Sequence, residues 1–146
     1  MSFTGSNKGG RIIAQMAANE LKKCVLELGG SDPYIVLADA DLDQAAQCIV
    51  ASRLNNAGQV CVAAKRVFVA QSIYSVLIDK IKQYMANYQL GDPLNPATKL
   101  GPLARQDLRN TLDAQVKTSI QQGAKCLVGG MPVAQVGFYY QATLLI

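Results

Sequence analysis

The sequence contains no histidine, and this absence removes a large group of active-site chemistries. No imidazole is available as a general base or as a metal ligand. The four cysteines form no Cys-x-x-Cys pair and match no zinc-site spacing, so we expect no bound metal. Nothing else in the sequence indicates secretion. We therefore expect reduced thiols and a cytoplasmic location.

Long apolar runs and clusters of positive charge are also missing. No run approaches the ~18 apolar residues of a membrane span, and no signal peptide opens the chain, so no membrane association is expected. Lysine and arginine outnumber the acidic residues by 14 to 10. They are adjacent only at Lys22-Lys23 and Lys65-Arg66, without aromatic residues between them. A nucleic-acid partner is therefore not expected.

The composition is that of one folded domain. The chain has 146 residues, of which 50% are hydrophobic, and this is enough apolar material for a core. Helical and strand patterns alternate, which predicts an α/β protein with a mainly parallel sheet in a three-layer α/β/α arrangement. Strands are predicted at 22–28, 34–38, 65–71, 124–128 and 138–146, and helices after Ser6 and at 39–58, 72–88 and 105–122.

Both ends of this pattern look interrupted. The first helix begins within a few residues of the start, with no strand before it to complete a βα unit. The last residues form an apolar strand without a following turn. We therefore expect the chain to be a segment of a larger protein.

Cys61 has the most unusual setting of the four cysteines. Cys24, Cys48 and Cys126 lie within strand or helix patterns, where a cysteine is usually a small core residue. Cys61 instead follows a glycine, Gly58, that ends a helical pattern, and it precedes two cations. Backbone amides in such a turn can stabilise a thiolate or an oxyanion. Cys61 is therefore a candidate reactive thiol, with a core position as the alternative.

Glu27 is the second candidate residue. It lies at the end of a predicted strand, between two leucines and just before Gly29-Gly30. Strand alternation alone could point it to solvent. The alternative is a carboxylate at the carboxyl end of a parallel strand, where ligand sites collect in open α/β sheets. Partial burial there would suit it to general base catalysis.

The third candidate is the stretch "FTGSNKGG" at residues 3–10. Glycine-rich turns that open a helix can bind phosphate through backbone amides. The spacing from Gly5 to Gly10 is not Gly-x-Gly-x-x-Gly, and no P-loop Lys-Ser/Thr follows. The residues alone leave two interpretations open, a phosphate contact or a simple helix cap at Ser6.

Taken together, these stretches resemble the aldehyde dehydrogenase superfamily. Its marks are a Phe-Thr-Gly-Ser turn, a Glu-Leu-Gly-Gly strand end and a Gly-Gln-x-Cys loop. Here they stand as "FTGS" (3–6), "ELGG" (27–30) and "GQVC" (58–61), in the family's order and at its usual separations. The resemblance covers essentially the whole chain. Within the family, the sequence is most similar to bacterial NAD-dependent succinate semialdehyde dehydrogenases.

The resemblance implies a mechanism that needs no histidine. Cys61 would attack an aldehyde to give a thiohemiacetal, and its backbone N–H would supply part of an oxyanion hole. After hydride transfer, Glu27 would activate the water that hydrolyses the resulting thioester. The cofactor would be NAD or NADP, with NAD favoured. Gly5 and Ser6 would lie near its pyrophosphate, and Gly29 near its nicotinamide.

The resemblance also implies how the chain is divided. Residues 1–26 would end a dinucleotide-binding domain, and residues 27–146 would belong to the catalytic domain of a protein that forms homo-oligomers. Two positions depart from some succinate semialdehyde enzymes. Asn55 stands where these have a carboxylate-binding arginine, and Ala63 stands where these have a second, redox-active cysteine. We therefore expect no redox switch of that kind.

Two other functions are compatible with the same fold. A CoA-acylating aldehyde dehydrogenase would pass the thioester to CoA, but such enzymes generally lack the glutamate that stands here as Glu27. A non-catalytic structural or interaction domain is the other alternative. A buried, unreactive Cys61 would favour that alternative.

Overall fold

The computed structural model describes all residues from 1 to 146 and contains four helices and six short strands. The helices are α1 (Asn7–Asn19), α2 (Leu42–Leu54), α3 (Tyr74–Ala86) and α4 (Gln106–Gln121). The strands are β1 (Ser2–Thr4), β2 (Val25–Glu27), β3 (Pro33–Val36), β4 (Arg66–Val69), β5 (Cys126–Val128) and β6 (Leu144–Leu145). Short 3-10 turns occupy Asn55–Gly58 and Gln71–Ile73. The α/β class is confirmed.

The strands pair as three two-stranded sheets. β1 pairs with β2 and β3 pairs with β4, both in parallel, while β5 and β6 are antiparallel. The mainly parallel pairing expected from the sequence is thus observed. The long final strand predicted at 138–146 is wrong. Only Leu144–Leu145 forms a strand, because Phe138 and Tyr140 make single bridges to two different partners, Leu103 and Pro132.

The main core lies between α2, α3 and one face of the β3–β4 sheet. Ala46, Ile49, Val50 and Leu54 of α2 pack against Leu77, Ile81 and Met85 of α3 and Val36 of β3. These positions follow the i, i+3, i+4 spacing of one helix face. The hydrophobic effect of burying this face therefore fixes α2 on the sheet, and with it the loop that follows α2.

The other face of the β3–β4 sheet is open. Ile35 and Phe68 are neighbours on this face, and they are 69% and 53% exposed. The short apolar run at 34–38 is typical of a strand in a buried parallel sheet, but only one face of this strand is covered. The side chains of Val36 and Val69, which alternate with these two, face the core. No element of the chain covers the outer face.

The interpretation of Cys24, Cys48 and Cys126 as core residues is also wrong. Cys48 and Cys126 are exposed and Cys24 is only half-buried. Cys48 lies on α2 one residue before Ile49, so it is rotated about 100° from Ile49 and lies on the side of the helix away from the buried residues. Cys126 begins β5, and its thiol donates to the carbonyl of Val128, 3.3 Å away, outside the core.

Candidate active site

The first part of the candidate site is the turn between β1 and α1. Ser6 is the N-cap of α1, and its Oγ accepts a hydrogen bond of 3.1 Å from the backbone N–H of Gly9. A Cβ at Gly5 would lie 2.7 Å from the Phe3 ring, so a larger residue there would require the ring to move. The first turn of α1 contains no acidic residue. No acidic side chain in this turn therefore competes with an outside anion for its free backbone N–H groups.

Loss of this cap has a predictable cost. We expect Ser6→Ala to lower the free energy of unfolding by about 1 kcal/mol, because one amide of the first helical turn loses its acceptor. Ser6→Asp keeps an acceptor and should keep most of the stability. Urea unfolding measures both, with the exposed Ser2→Ala as control. An equal loss in Ser2→Ala and Ser6→Ala would show that the cap contributes nothing.

The second part is the end of β2, which the structure joins directly to this turn. Thr4 is the register partner of Glu27, and the N–H of Gly5 donates to the Glu27 carbonyl at 3.0 Å. Leu28 packs so closely on Gly10 of α1 that a Cβ there would lie 2.7 Å from its side chain. The C-terminal end of strand β2, which carries Glu27, therefore lies beside the N-terminus of α1.

The Glu27 side chain itself is exposed in this chain, so the partial burial expected for it is not observed. Leu26 and Leu28 are half-buried on either side, which is the alternation of an edge strand with one open face. Gly29 is exposed as well, and a Cβ built there would meet no atom within 4 Å. The turn after Glu27 thus borders open space.

The third part is the loop that carries Cys61, whose side chain is exposed. The N–H of Ala63 donates to the Val60 carbonyl at 3.1 Å, which places Cys61 at the tip of a tight turn. The Cys61 backbone N–H donates to no atom of the chain. This N–H therefore has no partner within the chain, and its role in binding an oxyanion stays a prediction.

This loop lies against the turn that follows Glu27. A Cβ at Gly30 would lie 3.1 Å from the Cys61 carbonyl oxygen, so the two backbones are in close contact. Lys65 Nζ donates to the Gly30 carbonyl at 3.2 Å, and Arg66 donates to the Ser31 carbonyl at 2.6 Å. Lys65 and Arg66 therefore link the segment after Cys61 to the glycine turn by hydrogen bonds.

The backbone before Cys61 is strained. The helical pattern predicted to run to Gly58 is interrupted, because α2 ends at Leu54. Asn56 (φ 49°, ψ 41°) and Ala57 (φ 54°, ψ 32°) are both left-handed, and Gly58 follows with φ 76°. A left-handed conformation costs an L-residue about 1–2 kcal/mol. Such a turn persists only where its surroundings hold it.

Sequence reasoning missed the side chains that hold this turn. Arg53 Nη2 donates to the Gly58 carbonyl at 2.6 Å, and Gln59 Oε1 accepts from the N–H of Ala104 at 2.9 Å. Gln59 Nε2 also donates to the Asn56 carbonyl at 3.0 Å. Nothing in the pattern of α2 distinguishes Arg53 from a surface arginine. Only the reversed direction of the turn brings the Gly58 carbonyl within its reach.

A cleft of about 720 Å³ lies beside the same loop. Asn56 and Gln59 line it together with residues 102–104 and 137–138. Neither Cys61 nor Glu27 lines this cleft, so their exposed side chains do not share it. No group of three or more cysteine, aspartate or glutamate side chains is placed to hold a metal ion. None of the four helices combines the length and apolar character that crossing a membrane requires.

The fold and the site define an α/β protein in which an exposed cysteine loop contacts the glycine turn after a carboxylate-bearing strand. That strand pairs with the strand that leads into a helix N-terminus. The aldehyde dehydrogenase family model matches residues 1–146. The chain belongs to the aldehyde dehydrogenase family.

Two relatives illustrate the likeness. The NAD(P)+ succinate semialdehyde dehydrogenase of Escherichia coli (strain K12) is 47% identical over 145 residues, covering 99% of this chain and 31% of that protein. The NADP+ succinate-semialdehyde dehydrogenase of Deinococcus radiodurans is 42% identical over 145 residues, covering 99% of this chain and 30% of that protein. The chain thus spans about a third of the length of these relatives.

Solved structures confirm the predicted aldehyde dehydrogenase fold. Lactaldehyde dehydrogenase from Escherichia coli matches with a TM-score of 0.95 at 39% identity, covering 99% of this chain and 30% of that chain. A structure described as an E. coli NADP dependent enzyme matches with a TM-score of 0.95 at 37% identity, with 99% and 30% covered. Three of these four names include NADP or NAD(P), so they do not support NAD over NADP as the cofactor.

Proposed function

We propose that this chain carries the catalytic cysteine and glutamate of an NAD(P)-dependent dehydrogenase that oxidises an aldehyde to a carboxylic acid. The observation that supports this most directly is the contact between Gly30 and the Cys61 carbonyl. It joins the cysteine loop to the strand end of Glu27, more than thirty residues away in the sequence. Both side chains reach solvent, as groups that act on an outside substrate must.

Cys61 is the nucleophile in this proposal. Its sulfur adds to the aldehyde carbon, and the C=O electron pair moves to the oxygen, forming a thiohemiacetal. The unpaired N–H of Cys61 can donate to that oxygen as negative charge develops. A buried Cys61 would have favoured a non-catalytic domain, but Cys61 is exposed.

Glu27 is the general base for the second half of the reaction. It takes a proton from water, the hydroxide oxygen attacks the thioester carbon, and the Cys61 thiolate leaves. This role separates the proposal from CoA acylation, in which a second thiol replaces water. The Gly5 amide on the Glu27 carbonyl fixes the backbone from which the carboxylate extends.

The residues around Ser6 fit a dinucleotide pyrophosphate. Helix α1 is long enough to have a defined N-terminus, its first turn lacks acidic side chains, and Lys8 adds positive charge. Gly5 and Ser6 would hold the pyrophosphate, and the open space at Gly29 would leave room for the nicotinamide. When bound, the cofactor would supply the hydride acceptor that converts the thiohemiacetal to a thioester. The names of the relatives favour NADP over NAD.

Succinate semialdehyde is the substrate we propose, because the relatives that match best among those described carry this name. Asn55 is exposed at the end of α2 and would replace the arginine that some of these enzymes use to bind the substrate carboxylate. Residues 1–26 and 27–146 are proposed to belong to the cofactor and catalytic domains, with the division falling within β2. A homo-oligomeric assembly and a cytoplasmic location also remain predictions.

A chimera tests the proposal. The matching segment of the Escherichia coli relative, 47% identical over 145 residues, is replaced by this chain. We expect the chimera to reduce NADP+ or NAD+ with succinate semialdehyde. A folded chimera without turnover on this or other aldehydes would refute the proposed activity. Turnover only with other aldehydes would refute the substrate alone.

The 146-residue chain by itself should have no measurable turnover. Orientation of the hydride donor and acceptor contributes much of the rate of such reactions, and here both Cys61 and Glu27 lie open to water. The open Ile35–Phe68 face should also promote self-association. The measurement is the absorbance of reduced cofactor after mixing with NAD+, NADP+ and succinate semialdehyde. A rate that disappears in Cys61→Ser would contradict this prediction.

A further inference from the structure

The last turn of α2 contacts the Cys61 loop on both sides of the cysteine. Before it, Arg53 Nη2 donates to the Gly58 carbonyl at 2.6 Å. After it, Ser52 Oγ accepts from the N–H of Ala64 at 3.2 Å and lies 3.5 Å from the Val62 carbonyl. Two consecutive helical residues thus bracket the candidate nucleophile. Because packing in the main core fixes the position of α2, these contacts also restrict the position of the Cys61 loop.

Arg53 is unusual for an arginine at the end of a helix. It pairs with no carboxylate, and its Nη1 is buried without a hydrogen-bond partner. Burial lowers the pKa of the Arg53 guanidinium from its ordinary value. Burying a charged guanidinium costs free energy unless its hydrogen bonds compensate for the lost contact with water. The contact that remains is the one to the Gly58 carbonyl.

The space around Gly58 is shaped by this guanidinium. A Cβ at Gly58 would collide with Arg53 Nη2 and lie 2.8 Å from its Cζ, so a larger residue at this position would require the guanidinium to move. Gly58 also has a positive φ of 76°, which glycine adopts freely. The strained turn of Asn56 and Ala57 leads into this contact. The Arg53 guanidinium therefore packs directly against the left-handed turn.

We propose that Arg53 is a positioning residue that holds the left-handed turn at 56–58 and so sets where Cys61 lies relative to the glycine turn after Glu27. Arg53 does not touch substrate or cofactor in this proposal. It acts through the Gly58 carbonyl, and Ser52 assists from the other side of Cys61. The inference rests on the proposed function for its catalytic consequence. The mechanical part, the holding of the turn, stands on the contacts of the chain itself.

The catalytic consequence is tested in the chimera. Arg53→Met keeps the bulk of the side chain but removes the donor. We expect kcat to fall about 10²-fold with little change in KM, since misplacing a reacting group by about 1 Å can cost that much. Arg53→Lys retains one charged donor and should recover part of kcat. The exposed Arg11→Met on α1 is the matched control and should leave both parameters unchanged.

Hydrogen exchange of the 146-residue chain tests the mechanical part. Arg53→Met should raise amide exchange in residues 55–62 about tenfold or more, the size expected from losing one hydrogen bond to a charged group. Residues 42–50 of α2 should keep their protection. Should Arg53→Met fail to fold, Ser52→Ala replaces it, with an expected increase of about threefold or more around Val62 and Ala64.

Three outcomes would overturn the proposal. One is a kcat for Arg53→Met within about twofold of the Arg11→Met control. Another is a uniform rise in exchange along α2 and the loop, which would indicate a general structural role. The third is Arg53→Lys behaving no better than Arg53→Met. If the parent chimera lacks turnover, the proposed function fails, while the exchange experiment still decides whether Arg53 holds the turn.

Discussion

Cys61→Ser in the chimera should abolish aldehyde oxidation, lowering kcat by at least about 10⁴-fold. A serine hydroxyl has the same shape, but at neutral pH it is a far weaker nucleophile than a thiol. This chain supplies no histidine that could activate the serine. Turnover of reduced cofactor measures the loss. The size of the effect follows from the role proposed for Cys61, since without it no covalent intermediate forms.

Cys48→Ser is the matched control for this experiment. Cys48 is exposed like Cys61, but it lies within α2 and not in the loop beside the glycine turn. The control should retain full activity. Retained activity in Cys61→Ser, or an equal loss in both variants, would remove Cys61 from the mechanism.

Glu27→Gln should lower the steady-state rate by about 10²–10⁴-fold, which is the usual contribution of a general base. Glutamine keeps the shape of the side chain but takes no proton from water, so the thioester should accumulate. Rapid mixing should therefore record a burst of reduced cofactor, close to one per active site, followed by a slow phase. The contrast between the two phases assigns Glu27 to hydrolysis.

Glu20→Gln controls for loss of a negative charge. Glu20 is the other glutamate in the chain and lies exposed at the C-terminal end of α1. Its replacement should leave both phases unchanged. If Glu27→Gln instead slows the burst and the steady state to the same extent, Glu27 acts before hydride transfer, for example on the Cys61 thiol.

Local features of the fold were readable from the residues because their interactions span only a few positions. The predicted cap at Ser6 is an example, since its Oγ accepts from an amide three residues ahead. The alternation of helix and strand patterns likewise predicted the α/β class. The predictions for Cys48 and the 138–146 strand were wrong, because burial and strand pairing depend on which partner covers each face. The periodicity of apolar residues does not identify which element packs against each face.

The amino-acid sequence by itself determined the family, since the three motifs and their order are enough to identify it. It also predicted which side chains could act as nucleophile and base in a chain without histidine, namely Cys61 and Glu27. Only the tertiary structure decided that Gly5 meets Glu27, that Gly30 meets Cys61, and that Arg53 donates to the Gly58 carbonyl. The reason is physical. Packing of α2 on α3 and β3 fixes where the cysteine loop begins, and backbone strain there is sustained only by contacts made in three dimensions.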